Sequence, residues 1–181
     1  MHFTGSGMIF GKDYVFTDYI RIDEMDDFDR KILTLLQENN RRTAEQLSDQ
    51  VGLSPAACQK RIKRLRDKGI ISREIAVLSP AAVGRRLTLI VEITLERERP
   101  EILDAFKRKM MNTPEVMQCY YVTGNADFII IVTARDMKDY EDFTRRFFFQ
   151  NSNVRRFHTN VVMDSVKVGL AVPVETGPGE E

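Results

Sequence analysis

The densest cluster of cations in this 181-residue sequence lies in residues 54–69, where six Lys and Arg side chains accompany a single acid. The segment begins with Ser-Pro, which is typical of a helix start because serine caps the N-terminus and proline fits the first helical position. At about 3.6 residues per turn, Cys58, Ile62 and Leu65 share one side of that helix. If this apolar side is buried, the cations face solvent, where they can bind phosphates and base edges of a nucleic acid.

The outward side of this helix, together with one arginine upstream, provides the candidate DNA-contacting residues. They are Ser54, Ala56, Gln59, Lys60, Lys63, Arg64, Arg66 and Arg42. In this hypothesis the N-terminal half of the helix meets base edges, Arg64 and Arg66 meet phosphates, and Arg42 meets a flanking phosphate. The alternative is an ordinary basic helix whose charges are simply solvated.

Three short helices are expected to position this surface. Residues 26–40 carry apolar side chains at helical spacing, behind three aspartates that suit a helix N-terminus. Thr43 and Gln46 form a capping-box pattern for a second helix, and Gly52 ends it. The third helix is the cation-rich one and runs to Lys68. A glycine between two short amphipathic helices predicts a helix-turn-helix, because the sharp turn needs an unusual backbone conformation.

The second half of the sequence changes to a period of two residues. Residues 70–78 predict a short β-ribbon, and residues 79–86 predict a linker. Strands are then expected at 87–95, 116–122, 128–134 and 154–168, with helices from Pro100 and over 138–150. Two β-α-β units in tandem predict an α+β protein whose second domain is ferredoxin-like (βαββαβ), with both helices on one face of four antiparallel strands.

These boundaries predict five segments. They are an arm at 1–25, a helix-turn-helix domain at 26–78, a linker at 79–86, a ferredoxin-like domain at 87–172 and a disordered tail at 173–181. The arm has no clear helical or strand period, and is interpreted either as an upstream extension of the chain or as an ordered arm that pairs with a partner chain. The tail is rich in proline, glycine and acids, which is typical of disorder.

One face of the predicted sheet has no helices to cover it. The last strand nevertheless carries apolar residues in both registers, with Phe157 and Val161 in one and Val162 and Val166 in the other. Extensive apolar surface marks an interaction site, and most soluble oligomers are symmetric. A second copy of the chain is therefore expected to cover this face across a two-fold axis.

Charge and composition exclude several other classes of protein. The 27 basic and 27 acidic residues balance, but residues 41–74 hold 9 basic against 4 acidic side chains, which favours one local anion-binding module. No apolar run approaches the roughly 20 residues of a membrane helix. Cys58 and Cys119 are far apart and His158 has no second histidine nearby, so neither a disulfide nor a metal site is predicted. The sequence contains no catalytic or phosphate-loop motif, and a cytoplasmic protein without cofactor or enzymatic activity is expected.

Three stretches of the sequence carry a family resemblance. They are DDFDRKILTLLQENNRRT (26–43), LSPAACQKRIKRLRDKGII (53–71) and YYVTGNADFIIIV (120–132). In this order the sequence resembles the Lrp/AsnC feast/famine transcriptional regulators over residues 26–168. The resemblance implies a winged helix-turn-helix joined to a ferredoxin-like effector and assembly domain, with dimers through the sheets and commonly octamers or other rings of dimers. It also implies sequence-specific binding of double-stranded DNA, controlled by an amino acid or a related small metabolite.

The resemblance further implies that the effector binds between dimers, near the turn that joins the second and third strands. In this sequence that turn comprises Thr123, Gly124, Asn125, Ala126 and Asp127. Gly124 would let backbone N–H groups approach a carboxylate, Thr123 would add a hydroxyl, and Asp127 would accept from an ammonium group or order the loop. A plain hairpin turn is the alternative, because glycine, asparagine and aspartate also favour tight turns.

Two other functions remain open from the residues alone. The helical module could dock a protein in a small-molecule-binding or metabolic sensor, or the chain could organise DNA with little regard to sequence. A specific regulator should prefer its own site to random DNA by about a thousandfold or more, whereas a DNA-organising protein should bind both almost equally.

Overall fold

A computed structural model describes residues 25–174, which form two compact units. Residues 25–76 and 169–174 belong to the first unit, and residues 77–168 form the second. Three helices followed by a four-stranded sheet with two helices confirm the α+β class and its ferredoxin-like second half. The predicted arm up to residue 24 and the predicted tail from residue 175 lie outside the described residues.

The helices of the first unit begin and end where local chemistry requires. They are α1 (Asp27–Glu38), α2 (Ala44–Val51) and α3 (Pro55–Asp67). The Thr43 hydroxyl accepts from the Gln46 backbone N–H at 3.3 Å, which caps α2. The Ser54 hydroxyl accepts from the Ala57 N–H at 3.3 Å and caps α3. Between them Gly52 adopts a left-handed φ of 82°, so the predicted turn and both caps are confirmed.

The apolar sides of these helices meet in one core. Its buried members are Ile32, Leu33, Leu47, Val51, Cys58, Ile62 and Leu65. The end of the described chain joins this unit, since the Gln37 amide donates to the Val172 carbonyl at 3.0 Å and accepts from the Val172 N–H at 2.8 Å. Val174 packs against the core. By these contacts residues 169–174 group with the helical unit, although the sequence analysis placed residues up to 172 in the second domain.

The second unit is an antiparallel sheet with a helical layer. Its elements are β1 (Leu87–Leu95), α4 (Pro100–Met111), β2 (Val116–Tyr121), β3 (Phe128–Ala134), α5 (Met137–Thr144) and β4 (Val154–Val161). The strands lie in the order β2-β3-β1-β4 and all neighbours are antiparallel. This order arises because the chain forms two β-α-β units, and the two strands of each unit are not neighbours in the sheet.

Alternation along the central strands separates two faces of the sheet. The side chains buried against α4 and α5 include Leu89, Val91 and Ile93 of β1 and Phe128, Ile130 and Val132 of β3. On the other face, Ile90 is 36% exposed and Tyr120 is 50% exposed, with Ile129 and Ile131 half-buried between them. Within the described residues of this unit, no element covers that second face. We call it the open sheet face.

The β-ribbon predicted for residues 70–78 does not form as paired strands. Residues 72–79 have no regular secondary structure. Ile70 and Ile71 pack against the helical core instead, while Val77 is 86% exposed. This stretch contains no glycine or asparagine to fold it into a tight hairpin, so only its first two apolar residues are packed and Ile75, Val77 and Leu78 remain exposed. In the predicted linker, Ala81–Val83 form a single 3₁₀ turn.

The last helix and last strand are shorter than the sequence predicts. α5 ends at Thr144 and continues as a π-helical turn over Arg145–Phe149. β4 ends at Val161 rather than at residue 168, because β1 starts at Leu87, only two residues beyond the partner of Val161, and offers no backbone partners to residues 164–168. The Val162 N–H still donates to the Thr88 carbonyl at 3.0 Å, and the chain then leaves the sheet.

Candidate functional site

The α3 helix presents its polar side to solvent. Cys58 and Leu65 are fully buried and Ile62 is 8% exposed. The exposed residues across the helix include Ala56, Gln59, Lys60 and Lys63. Within residues 25–174, neither Lys60 nor Lys63 forms an ion pair, so both ammonium groups are available to an anion. Ser54, the remaining predicted contact at the start of the helix, is exposed as its N-cap.

Both predicted phosphate contacts on α3 itself have carboxylate partners. Arg66 donates to Glu74 at 2.7 Å, and both side chains are partly exposed. An exposed pair of this kind contributes only about 0–1 kcal/mol, so a phosphate can replace the glutamate. Arg64 donates to the carboxylate of Asp29, whose side chain is fully buried. Arg64 and Arg66, to which the sequence analysis gives the same role, therefore differ in whether their partner is buried or exposed.

Arg42 lies at the start of α2 beside a polar cavity of about 340 Å³. The cavity is lined by Arg42, Ala44, Leu47, Gln59, Ile62 and Arg66. The structure thus brings three of the predicted DNA contacts to one place. Arg42 itself is only 20% exposed, and its guanidinium donates to the Leu35 carbonyl at 3.2 Å and to Glu38 at 2.7 Å. Arg42 also donates to Gln50 of α2 at 3.2 Å, so it links α1 and α2 at the edge of the surface.

Asp29 is a residue of this site that the sequence analysis did not single out. It was treated as one of three helix-start acids, yet its carboxylate accepts from Arg61 at 2.9 Å and from Arg64. The hydrogen bond to Asp29, supported by Asp26, raises the pKa of Arg61 above its ordinary value. The available indication was spacing, because Asp29 precedes the buried Ile32 by three residues and therefore shares the inward side of α1.

The predicted effector turn lies between β2 and β3. Thr123, Gly124 and Asn125 are exposed, and Gly124 has a φ of 125°, which only glycine adopts readily. The Asp127 carboxylate accepts from the Leu95 N–H at 2.6 Å, and the Asp127 N–H donates to the Ile93 carbonyl at 2.9 Å. Asp127 therefore orders the turn against β1. Ala126 is buried beside it.

Two charged groups that the sequence analysis did not single out lie beside Tyr121, the last residue of β2. The Lys107 ammonium is 5.0 Å from the centre of the Tyr121 ring, and the Tyr121 hydroxyl donates to Glu98 at 3.4 Å. Burial and the neighbouring Glu98 carboxylate raise the pKa of Tyr121. A cation and an anion at the base of the turn suit a zwitterionic ligand, but they lie far from the turn in sequence and no local pattern indicates them.

The environments of the two cysteines favour a role in packing rather than in chemistry. Cys58 lies in the helical core, and burial raises the pKa of the Cys119 thiol to about 11, which keeps it protonated at neutral pH. Among residues 25–174, no group of three or more His, Cys, Asp or Glu side chains could hold a metal ion. In the same part of the chain, no helix combines the length and apolar character needed to cross a membrane.

Comparison with known proteins identifies both units. A family profile described as the AsnC-type helix-turn-helix domain matches residues 25–66, and one described as the Lrp/AsnC ligand binding domain matches residues 88–172. An HTH-type transcriptional regulator of Sinorhizobium fredii is 57% identical over 152 residues, which are 84% of this chain and 90% of the relative. The leucine-responsive regulatory protein of Haemophilus influenzae is 35% identical over 79% of this chain and 86% of its own length.

A solved structure has the same fold. The transcriptional regulator of Neisseria meningitidis, determined as a complex with L-Met, superimposes with a TM-score of 0.78 at 30% sequence identity. The match covers 82% of this chain and 96% of that one. Both units of this chain therefore have counterparts in one regulator.

Proposed function

Because the chain belongs to the Lrp/AsnC family of DNA-binding transcriptional regulators, we propose that α3 is its recognition helix and enters the major groove of operator DNA. The observation that carries this proposal is the pair of exposed, unpaired lysines on the side of α3 opposite its buried apolar residues. Ala56 and Gln59 share that side near the helix start, the part of a recognition helix that meets base edges. Ser54 and Arg66 complete the proposed contacts at its two ends.

The open sheet face supports a two-fold dimer as the DNA-binding species. Its half-buried isoleucines and exposed Tyr120 form an apolar surface that a second copy of the same sheet can cover. Two α3 helices related by a two-fold axis then recognise inverted half-sites one or more helical turns apart. Higher rings of such dimers are part of the same proposal.

Loss of the α3 lysines should weaken DNA binding and its dependence on salt. For Lys63→Ala on a random-sequence duplex, we expect the slope of log K against log salt to fall by about 0.9 per bound helix, since one phosphate contact is lost. Lys60→Ala combined with Lys63→Ala should lower it by about 1.8. Fluorescence anisotropy at 50–200 mM salt measures both slopes.

The control for this experiment is Lys167→Ala, which removes an exposed lysine of the second unit. It should leave the slope unchanged. If the double α3 variant keeps the parent slope and affinity, α3 is not the DNA-binding helix. If promoter and random duplexes bind equally in the parent protein, the chain organises DNA instead of selecting operators.

The second part of the proposal is that the turn at residues 123–127 binds an amino-acid effector. It is supported by the exposed Gly124 backbone, which offers N–H groups to a carboxylate, and by the charged pair of Lys107 and Glu98 beside Tyr121. The relatives named for leucine response and solved with L-Met indicate the chemical class. Asp127 acts in this proposal by ordering the turn.

Gly124→Leu should abolish stabilisation by the effector. In the parent protein, an amino acid at 100 times its dissociation constant should raise the free energy of unfolding by about 2.7 kcal/mol. L-Leucine and L-methionine are the first probes, and calorimetry of thermal unfolding measures the shift. A leucine at φ 125° both strains the turn and covers its N–H groups, so the shift should disappear.

Gly84→Leu is the matched control, because Gly84 also has a positive φ, 80°, and open space around it. It should lower the parent stability by a similar amount yet retain the ligand-induced shift. A full shift in Gly124→Leu would mean that the effector binds elsewhere. No shift in the parent protein with any of the twenty amino acids would reject this class of effector.

A further inference from the structure

We propose that Asp29 is a positioning residue for DNA binding, which holds the Arg64 guanidinium against α1 and so limits the cations that α3 offers to phosphates. The inference rests on the proposed role of α3 as the recognition helix. In this inference, a buried carboxylate at the start of α1 controls how strongly the protein binds DNA of any sequence.

The first support is the contact geometry. The Asp29 side chain is fully buried, and each of its carboxylate oxygens accepts from a different arginine of α3, Arg61 at 2.9 Å and Arg64. A buried carboxylate needs such partners, because an unpaired buried charge is strongly unfavourable. Asp29 therefore competes with DNA phosphates for both guanidinium groups.

The two arginines differ in how firmly they are held. Arg61 also donates to both oxygens of Asp26 at 2.8 Å, and its guanidinium lies 5.4 Å from the centre of the Phe28 ring. Its side chain is 23% exposed, whereas that of Arg64 is 43% exposed. Arg61 is thus fixed to the start of α1 by two carboxylates, whereas within residues 25–174 Arg64 forms an ion pair only with Asp29.

Position on the helix determines what Arg64 does when it is released. Arg64 follows Lys60 by four residues, so the two side chains share one side of α3. Without the Asp29 charge, Arg64 would join Lys60 and Lys63 as a third cation at the DNA surface. Each added phosphate contact strengthens binding to every sequence and steepens its salt dependence.

The test is Asp29→Asn, which keeps the shape of the side chain and removes its charge. We expect the slope of log K against log salt on a random-sequence duplex to steepen by about 0.9 per bound α3. Between 50 and 200 mM salt this corresponds to about 3.5-fold more loss of affinity than in the parent protein. Mere structural damage to α3 would weaken binding and make the slope shallower.

Three further variants identify the cause. Asp27→Asn removes an exposed carboxylate from the same helical turn and should leave the slope close to that of the parent protein. Arg64→Gln alone should not change the slope, because Arg64 is already withheld from DNA. Asp29→Asn combined with Arg64→Gln should restore the parent slope, since the released cation is gone.

Either of two results would overturn the inference. One is a slope in Asp29→Asn no steeper than in Asp27→Asn. The other is a decrease of about 0.9 in Arg64→Gln, which would mean that Arg64 already contacts DNA. Arg64→Gln leaves Asp29 paired with Arg61, so it decides the question even if Asp29→Asn does not fold. If α3 is not the recognition helix, the double variant of Lys60 and Lys63 keeps the parent slope. That result distinguishes failure of the proposed function from failure of the inference about Asp29.

Discussion

Leu65→Ala should abolish DNA binding by unfolding the helical unit at temperatures where the sheet unit stays folded. Leu65 is fully buried where α3 meets α1 and α2. A buried leucine truncated to alanine costs about 2–5 kcal/mol, because transfer energy is lost and a cavity remains. A unit of this size has a stability on the order of 5 kcal/mol, so most of it would disappear.

Calorimetry of the full chain measures this effect, since the two cores share no residue and should give two transitions. Only the transition of the helical unit should move in Leu65→Ala. Lys63→Ala is the control in the same helix: it should weaken DNA binding while changing the free energy of unfolding by no more than about 0.5 kcal/mol. Full DNA affinity in Leu65→Ala, with both transitions unchanged, would contradict the packing described for α3.

Features that depend only on a few neighbouring residues could be predicted from the sequence. The caps at Thr43 and Ser54 and the turn at Gly52 depend on contacts within four residues, and each is present in the structure. The same holds for β1, whose alternation over Leu87–Leu95 gives both its limits and its buried side. Local propensity and tertiary packing agree at these positions, so the local pattern suffices.

Features that depend on distant partners could not be predicted. Arg64 and Arg66 are two residues apart and chemically identical, but one meets a buried carboxylate from α1 and the other an exposed Glu74. The end of β4 depends on where β1 begins, and the position of residues 169–174 depends on Gln37. In each case the deciding group lies far away in sequence. The candidate DNA surface was therefore predicted as a helix face, whereas the availability of each cation on it required the structure.

Ile131→Lys should separate the proposed dimer into monomers. Ile131 lies near the middle of the open sheet face, opposite Ile90 on one neighbouring strand and Gln118 on the other. In the proposed dimer, a lysine there would bury an ammonium group of each copy in an apolar interface, which is unfavourable even with Glu92 diagonally beside it on the same face. Loss of a central apolar contact of this kind costs at least about 2 kcal/mol, so the dimer dissociation constant should rise about 30-fold or more.

Analytical ultracentrifugation measures the dissociation constant directly. Met137→Lys is the control, because Met137 is 54% exposed at the start of α5, in the helical layer on the other side of the sheet. It makes the same change of charge, and it should leave the mass in solution unchanged. A dimer of parent strength in Ile131→Lys would mean that the open sheet face is not the interface.

The same substitution separates assembly from DNA recognition. With two linked recognition helices, binding of the second half-site is intramolecular and can strengthen the whole complex by about 10²–10⁴-fold. Ile131→Lys should lose that factor on a duplex with two half-sites while it retains the affinity and salt slope of one α3 for a single half-site. Leu65→Ala should lose both, because it removes the recognition helix itself. A protein whose Ile131→Lys variant dissociates yet binds both duplexes as the parent does would recognise DNA as a monomer.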